Sequence, residues 1–233
     1  MKQAVVLGMS GSVGQEITKI LLNKGYQVLG TCHNSDPNAF KHKGVEIVLL
    51  DFADFSQVRK FCDKLKELEG IDFITSTIGA YTMNKFERIS FEQFERDVHI
   101  NFLHFAYVLQ HTVPKLNKDA QVVFLLTEMV VGEPNYFLSS YVSSKYALLG
   151  LMKSMAGELK QRGIRVNAIS PGMMDTAFSK NVPSLIKEQY IAQSPLKRLV
   201  EPKEVGSALM KIMNGSMNGK NILILGKPHD PRH

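Results

Sequence analysis

Seven short runs rich in Val, Ile and Leu recur along the chain, at Gln3–Leu7, Gln27–Thr31, Val45–Leu50, Ile71–Ser76, Gln121–Leu126, Arg165–Ser170 and Asn221–Leu225. They lack the alternation of a strand with one wet face, so each predicts a strand buried on both faces. Segments with helical spacing separate most of them. Strands alternating with helices need right-handed crossovers, which build a parallel sheet. The expected class is α/β: a doubly wound, mainly parallel seven-stranded sheet with helices on both faces.

Helix ends are marked. Glu16–Lys24 places Ile17, Ile20 and Leu21 on one face and stops at Gly25. Ser90 and Gln93 form a capping-box pattern that opens a long helix with Phe94, Val98, Phe102 and Phe105 inward. Pro202, after Glu201, suits a helix start leading into Val205–Met213. With no repeat, low-complexity tract or linker, residues 1–233 read as a single domain. The stretch Met173–Val200 lacks a strand and predicts a helical loop over the site.

Gly8-Met9-Ser10-Gly11-Ser12-Val13-Gly14 follows the first strand and opens the first helix. Such a turn either packs a helix tightly on a strand or holds a phosphate on backbone N–H groups at the helix N-terminus. Its place in the first crossover of a parallel sheet favours a dinucleotide. The second strand ends Gly30-Thr31-Cys32-His33-Asn34-Ser35. An acid there would grip a ribose 2′-OH. With none present, and with donors at His33 and Asn34, NADP(H) is favoured over NAD(H).

Tyr141 and Lys145 lie four apart in a helical pattern, on one face and one turn apart. A nearby ammonium favours phenolate, so Lys145 is expected to lower the Tyr141 pKa and make the phenol a usable proton donor or acceptor. By chance alone, many helices carry this pair at a core edge.

Together these motifs resemble a short-chain dehydrogenase/reductase almost from end to end, most closely the compact one-domain type similar to 3-oxoacyl-(acyl-carrier-protein) reductase. The resemblance implies a Rossmann-like fold, with Gly8, Ser10, Gly11, Ser12, Val13 and Gly14 on the cofactor and Asp51-Phe52 approaching its adenine. Gly79 closes the segment after the fourth strand, and Asn101 matches the family's Asn, which holds a water linking the Lys to solvent. Tyr141 and Lys145 match the YxxxK pair, and Pro171-Gly172-Met173-Met174-Asp175-Thr176 matches the PGxxxT turn beside the nicotinamide. The implied reaction is hydride transfer between nicotinamide C4 and a carbonyl or alcohol carbon, on a small-molecule carbonyl or acyl thioester. A homodimer or homotetramer is implied as well.

Three departures stand out. Ser12 occupies the family's middle glycine, beside Gly11. The usual NNAG reads Ser76-Thr77-Ile78-Gly79, with hydroxyls in place of amides. The catalytic Ser is missing, and Thr127-Glu128-Met129 occupies its stretch. A carboxylate there would oppose a developing oxyanion. Either Thr127 supplies the hydroxyl, or catalysis is weakened, or Glu128 points away. The weakened case is a dinucleotide-binding sensor or structural protein of the same fold.

Composition adds less. The 28 Lys and Arg against 22 Asp and Glu give +6, which suits an anionic ligand. The basic residues are scattered and no nucleic-acid motif accompanies them, so no nucleic-acid partner is expected. Cys32 and Cys62 form no CxxC pair, no metal spacing is present, and no apolar run reaches the length of a membrane span. The first strand starts almost at Met1, leaving no room for a signal peptide, and the expected location is cytoplasmic.

Overall fold

The computed structural model describes residues 1–40, 42–132 and 136–225. The strands are β1 (Lys2–Leu7), β2 (Tyr26–Cys32), β3 (Val45–Leu49), β4 (Ile71–Ser76), β5 (Leu116–Leu125), β6 (Arg165–Pro171) and β7 (Asn221–Ile224). All pair in parallel, in the order β3-β2-β1-β4-β5-β6-β7. The expected Rossmann-like doubly wound α/β sheet is thus present, and wholly rather than mainly parallel.

Among the described residues there are seven α-helices: α1 (Ser12–Asn23), α2 (Phe55–Lys66), α3 (Phe91–Val98), α4 (His104–Thr112), α5 (Ser139–Glu158), α6 (Ser184–Gln193) and α7 (Pro202–Asn214). Successive residues of β1 serve opposite faces, which is why the run shows no polar alternation. Val5 and Leu7 pack with Phe61, Val108 and Met152 beneath α2, α4 and α5. Ala4 and Val6 pack with Ile17, Leu21, Val205 and Leu209 beneath α1 and α7.

Two boundaries differ from the sequence reading. β5 starts five residues early, at Leu116, because Asn117, Lys118 and Asp119 are exposed and polar and Asp119 takes a positive φ of 67°. The long helix opened by the Ser90–Gln93 capping box breaks into α3 and α4 around a π-helical turn at His99–Leu103. Between Met173 and Val200 lie a 3-10 turn (Ala177–Ser179), α6 and a single parallel bridge, Met174 to Val200.

β1 lies between β2 and β4, so the winding reverses there, and the crevice that binds ligands in such sheets opens at the carboxyl ends of β1 and β4. Gly8 and Thr77 leave the sheet at that point.

Candidate active site

The crevice deepens into a cavity lined by Gly11–Gly14, Thr77–Gly79, Thr127, Tyr141, Lys145 and Pro171–Met174, with Thr176 and Phe178 above. At one end is the glycine turn. Gly8 has φ +77°, and a Cβ there would lie 2.8 Å from the Thr77 hydroxyl. A Cβ on Gly14 would lie 2.4 Å from the Gly8 carbonyl oxygen, so α1 rests directly on the turn. Gly11 caps α1 with no side-chain bond and Ser12 begins the helix, which leaves the first-turn N–H groups facing the cavity. Ser10 sits outside the wall, its carbonyl accepting from Gln15 Nε2 at 2.8 Å.

Hydroxyls brace the turn where amides would be expected. Thr77 Oγ1 donates to the carbonyls of Leu7 and Gly8 (3.1 and 2.9 Å), and Thr31 Oγ1 accepts from Gly8 N at 3.0 Å. Thr75 donates to the Val123 carbonyl, tying β4 to β5.

Past β2, His33 and Asn34 are exposed, and His33 Nε2 lies 3.6 Å from Asp51 Oδ2. Asp51 Oδ1 also accepts from Ala53 N at 2.9 Å. The Phe52 ring is turned into the core. Its carbonyl bonds His104 Nδ1 at 2.8 Å, which makes that nitrogen the donor. This outer group and the glycine turn flank the same strand ends.

At the other end, Tyr141 and Lys145 project from one face of α5 as their spacing predicts. The Tyr141 phenol is hydrogen-bonded to Thr127, and Lys145 Nζ donates to the Leu125 carbonyl at 3.0 Å. Nζ lies 5.6 Å from the Tyr141 ring centre. Burial pushes the phenol up to about 12, against the Thr127 bond, and pushes the ammonium down to about 8. The expected lowering of the phenol by Lys145 is not what the fold produces: Thr127 supplies the lowering contact, burial exceeds it, and loss of water moves both groups toward their neutral forms.

Asn101 stands in the π turn, buried and off the cavity wall. Its Oδ1 accepts from Ala80 N (2.9 Å) and its Nδ2 donates to the carbonyls of Ala80 (2.7 Å) and Asp97 (2.8 Å). Gly79 fits beneath it, because a Cβ would lie 3.4 Å from Asn101 Oδ1 and 3.2 Å from the Phe178 ring. Thr176 caps the 3-10 turn at Ala177–Ser179, which carries Phe178 over Tyr141 with ring centres 5.8 Å apart.

The chain matches, over residues 8–224, a family model described as Enoyl-(Acyl carrier protein) reductase. The chain belongs to the short-chain dehydrogenase/reductase family. It is 28% identical over 218 residues to the 3-oxoacyl-(acyl-carrier-protein) reductase FabG of Buchnera aphidicola subsp. Schizaphis graminum, covering 90% of this chain and 88% of that one. It is 26% identical over 221 residues to the 7alpha-hydroxysteroid dehydrogenase of Escherichia coli, covering 90% and 86%. A short-chain dehydrogenase of Burkholderia cenocepacia solved in complex with NADP superposes with a TM-score of 0.87 at 21% identity, covering 97% of each chain. The chain is thus an oxidoreductase of a family that acts on CH–OH and C=O groups.

Against that family background, Glu128 marks the main departure. Thr127 and Met129 line the cavity while Glu128, buried between them, turns away and accepts a 2.7 Å bond from the phenol of Tyr190. Neither Tyr190 nor the buried pair of Asp97 on α3 and Ser140 on α5 stands out in the sequence. An acid inside the apolar run Leu125–Val131 was the available signal for the first pair. Among the described residues, no helix is long and apolar enough to cross a membrane, and no group of three or more His, Cys, Asp or Glu could hold a metal ion.

Proposed function

We propose that this short-chain dehydrogenase/reductase is an NADPH-dependent carbonyl reductase in which Tyr141 is the general acid/base, assisted by Lys145 and oriented by Thr127. One observation carries this reading: Thr127, Tyr141 and Lys145 converge at one end of a cavity whose other end is the uncapped N-terminus of α1.

The residues fit a dinucleotide. The turn Gly8–Gly14 leaves no room for side chains at Gly8 and Gly14 and offers N–H groups to a pyrophosphate. His33, Asn34, Asp51 and the Phe52 backbone stand where the adenosine end would lie. Gly79, Pro171, Gly172, Met174 and Thr176 would flank the nicotinamide, and Lys145 its ribose. When bound, the nicotinamide supplies the hydride. The chain supplies the proton: Tyr141 passes it to the carbonyl oxygen, Thr127 fixes the direction of the phenol, and the Lys145 charge offsets the phenolate left behind. Asn101 acts as a positioning residue through Ala80. The Thr127–Tyr141 bond supports turnover over a dinucleotide-binding protein without it.

Among the described residues, the only charged side chain on the cavity wall is Lys145, and the substrate end is formed by Tyr81, Met83, Met129, Leu138, Val182 and Ile186. That wall suits an apolar carbonyl compound or the acyl part of a thioester. We read residues 1–233 as one domain, in a reducing cytoplasm that suits the buried free thiols of Cys32 and Cys62. The exposed Leu103, at the end of the π turn that leads into α4, and Tyr146 on α5 support a homodimer or homotetramer through these helices.

The test follows NADPH absorbance with apolar ketones and 3-oxoacyl thioesters. Tyr141→Phe is expected to lose at least about 100-fold in turnover. A Phe variant as fast as its parent would refute the mechanism.

A further inference from the structure

Tyr190 sits in the last turn of α6 and is buried. Its phenol oxygen joins different parts of the chain. It donates to Glu128 Oε1 at 2.7 Å, and it accepts from Met173 N at 2.9 Å. One side-chain atom thereby joins the segment after β5, the segment after β6 and the helix that stands over the cavity.

The three segments are those that shape the substrate end. Glu128 opens the 3-10 turn at Glu128–Val130, directly after Thr127. Met173 belongs to the turn beside the nicotinamide position and lines the cavity. Ile186, one helical turn before Tyr190, and Val182, just ahead of α6, form the cavity's outer wall. The base of this excursion is closed where Val200 N donates to the Met173 carbonyl at 2.9 Å. Short of that closure, α6 is tied back in the interior by Tyr190 and at the surface by Lys187 Nζ, which donates to Asp175 Oδ1 at 3.2 Å.

Chemistry explains why this pair differs from a generic packing contact. A buried carboxylate must be hydrogen-bonded, and a bond from a neutral donor to a charged acceptor is among the stronger kinds. A carboxylate aimed at the reacting carbonyl would oppose the developing oxyanion. Bonding to Tyr190 keeps Glu128 aimed away from Tyr141, and the same bond orders α6.

We propose that Glu128 and Tyr190 are positioning residues that form a latch, holding α6 as a preformed wall of the substrate chamber. Substrate then enters a chamber that already exists, and does not have to order α6 as it binds, which strengthens its binding. The latch itself is independent of the reaction; its effect on substrate binding rests on the reductase reading above.

The test compares the full chain with Tyr190→Phe, which deletes one oxygen, by amide hydrogen exchange over residues 184–193. Loss of a bond to a charged group is expected to speed exchange there by about tenfold or more, with the sheet strands unchanged. On an apolar ketone, KM is expected to rise about tenfold with kcat changed less than about threefold, and the NADPH Kd to stay within about twofold. Glu128→Gln retains an acceptor for the phenol and is expected to keep α6 protected, whereas Glu128→Ala, which leaves the Met173 bond in place, is expected to speed exchange in the same direction as Tyr190→Phe and serves in its place should that variant not fold. Unchanged exchange over 184–193 in both Tyr190→Phe and Glu128→Ala, or equal loosening of the whole sheet, would overturn the latch. Faster α6 exchange with an unmoved KM would overturn its role in substrate binding. The exchange result stands whether or not Tyr141 proves to be the proton donor.

Discussion

The Ser140 hydroxyl donates to Asp97 Oδ2 at 2.7 Å, across 43 residues of sequence and with no solvent reaching the carboxylate. The other oxygen accepts from Arg96 Nη2 at 2.9 Å, and the same guanidinium nitrogen reaches Thr82 Oγ1 at 3.1 Å. Ser140 directly precedes Tyr141, so this carboxylate pins the start of α5 to α3 and aims the phenol. Replacing Asp97 by Ala strands the Ser140 hydroxyl in the interior. The expected cost is about 2 kcal/mol in urea unfolding, accompanied by slower turnover. Asp97→Asn, which keeps an acceptor, should lose less of both. Equal behaviour of the two variants would assign the effect to volume and not to the hydrogen bond.

The glycine turn separates a required glycine from a permissive one. Gly14→Ala forces a methyl group to 2.4 Å from the Gly8 carbonyl oxygen, against backbone atoms of Gly8 and Met9 that cannot move aside as a flexible side chain would. About 2–3 kcal/mol of destabilisation and loss of dinucleotide binding by calorimetry are expected. At Gly11 the nearest atom to an added Cβ is 3.5 Å away and φ is −69°. Gly11→Ala should fold within about 1 kcal/mol of the parent.

Lys145 carries a pH signature. Its folded pKa of about 8 lies below the ordinary 10.5 because burial disfavours the ammonium. Between those values the unfolded chain holds the proton and the folded chain does not, so stability rises with pH across that window. Below about pH 8 both states are protonated and the contribution is constant. Tyr141, raised from 10 to about 12, acts with the opposite sign above pH 10, which sets the upper limit of the useful range. Unfolding free energies of the parent minus those of Lys145→Met should climb from pH 8 to 10. Parallel curves would mean that Lys145 ionises as in water.

Dinucleotide choice is tested at the tip of β2. His33→Asp places a carboxylate beside Asp51, where a 2′-phosphate would approach. NADPH affinity should fall about tenfold or more while NADH affinity changes little, as read by calorimetry. A fall of equal size for both cofactors would place the 2′-position elsewhere.

The legible parts of this protein are those whose meaning is local. The strands were readable because residues such as Val5 and Val6 are both buried, and the turn Gly8–Gly14 and the pair Tyr141 and Lys145 because their spacing alone places them. β5 was cut short because Asn117, Lys118 and Asp119 resemble a loop while still following the strand path. The π turn was hidden because Phe94, Val98, Phe102 and Phe105 keep a helical rhythm across it. The partners of Glu128 and Asp97 lie 62 and 43 residues away, so no window contains both ends of either pair. The phenol pKa is hidden from the sequence for a related reason. The four-residue spacing is local, whereas the loss of water that raises the phenol is a property of the assembled fold.

The π turn at His99–Leu103 amounts to one residue more than an α-helix of the same span would hold. Since each helical residue turns the chain by about 100°, that surplus rotates α3 relative to α4 about their common axis. The rotation lets one continuous backbone serve two masters: α4 seals the sheet with Val108, while α3 turns Asp97 sideways to α5. A single-residue deletion here would leave helix, composition and hydrophobic content nearly intact, yet swing Asp97 away from Ser140. Insertions and deletions in this segment should therefore be far less tolerated than substitutions.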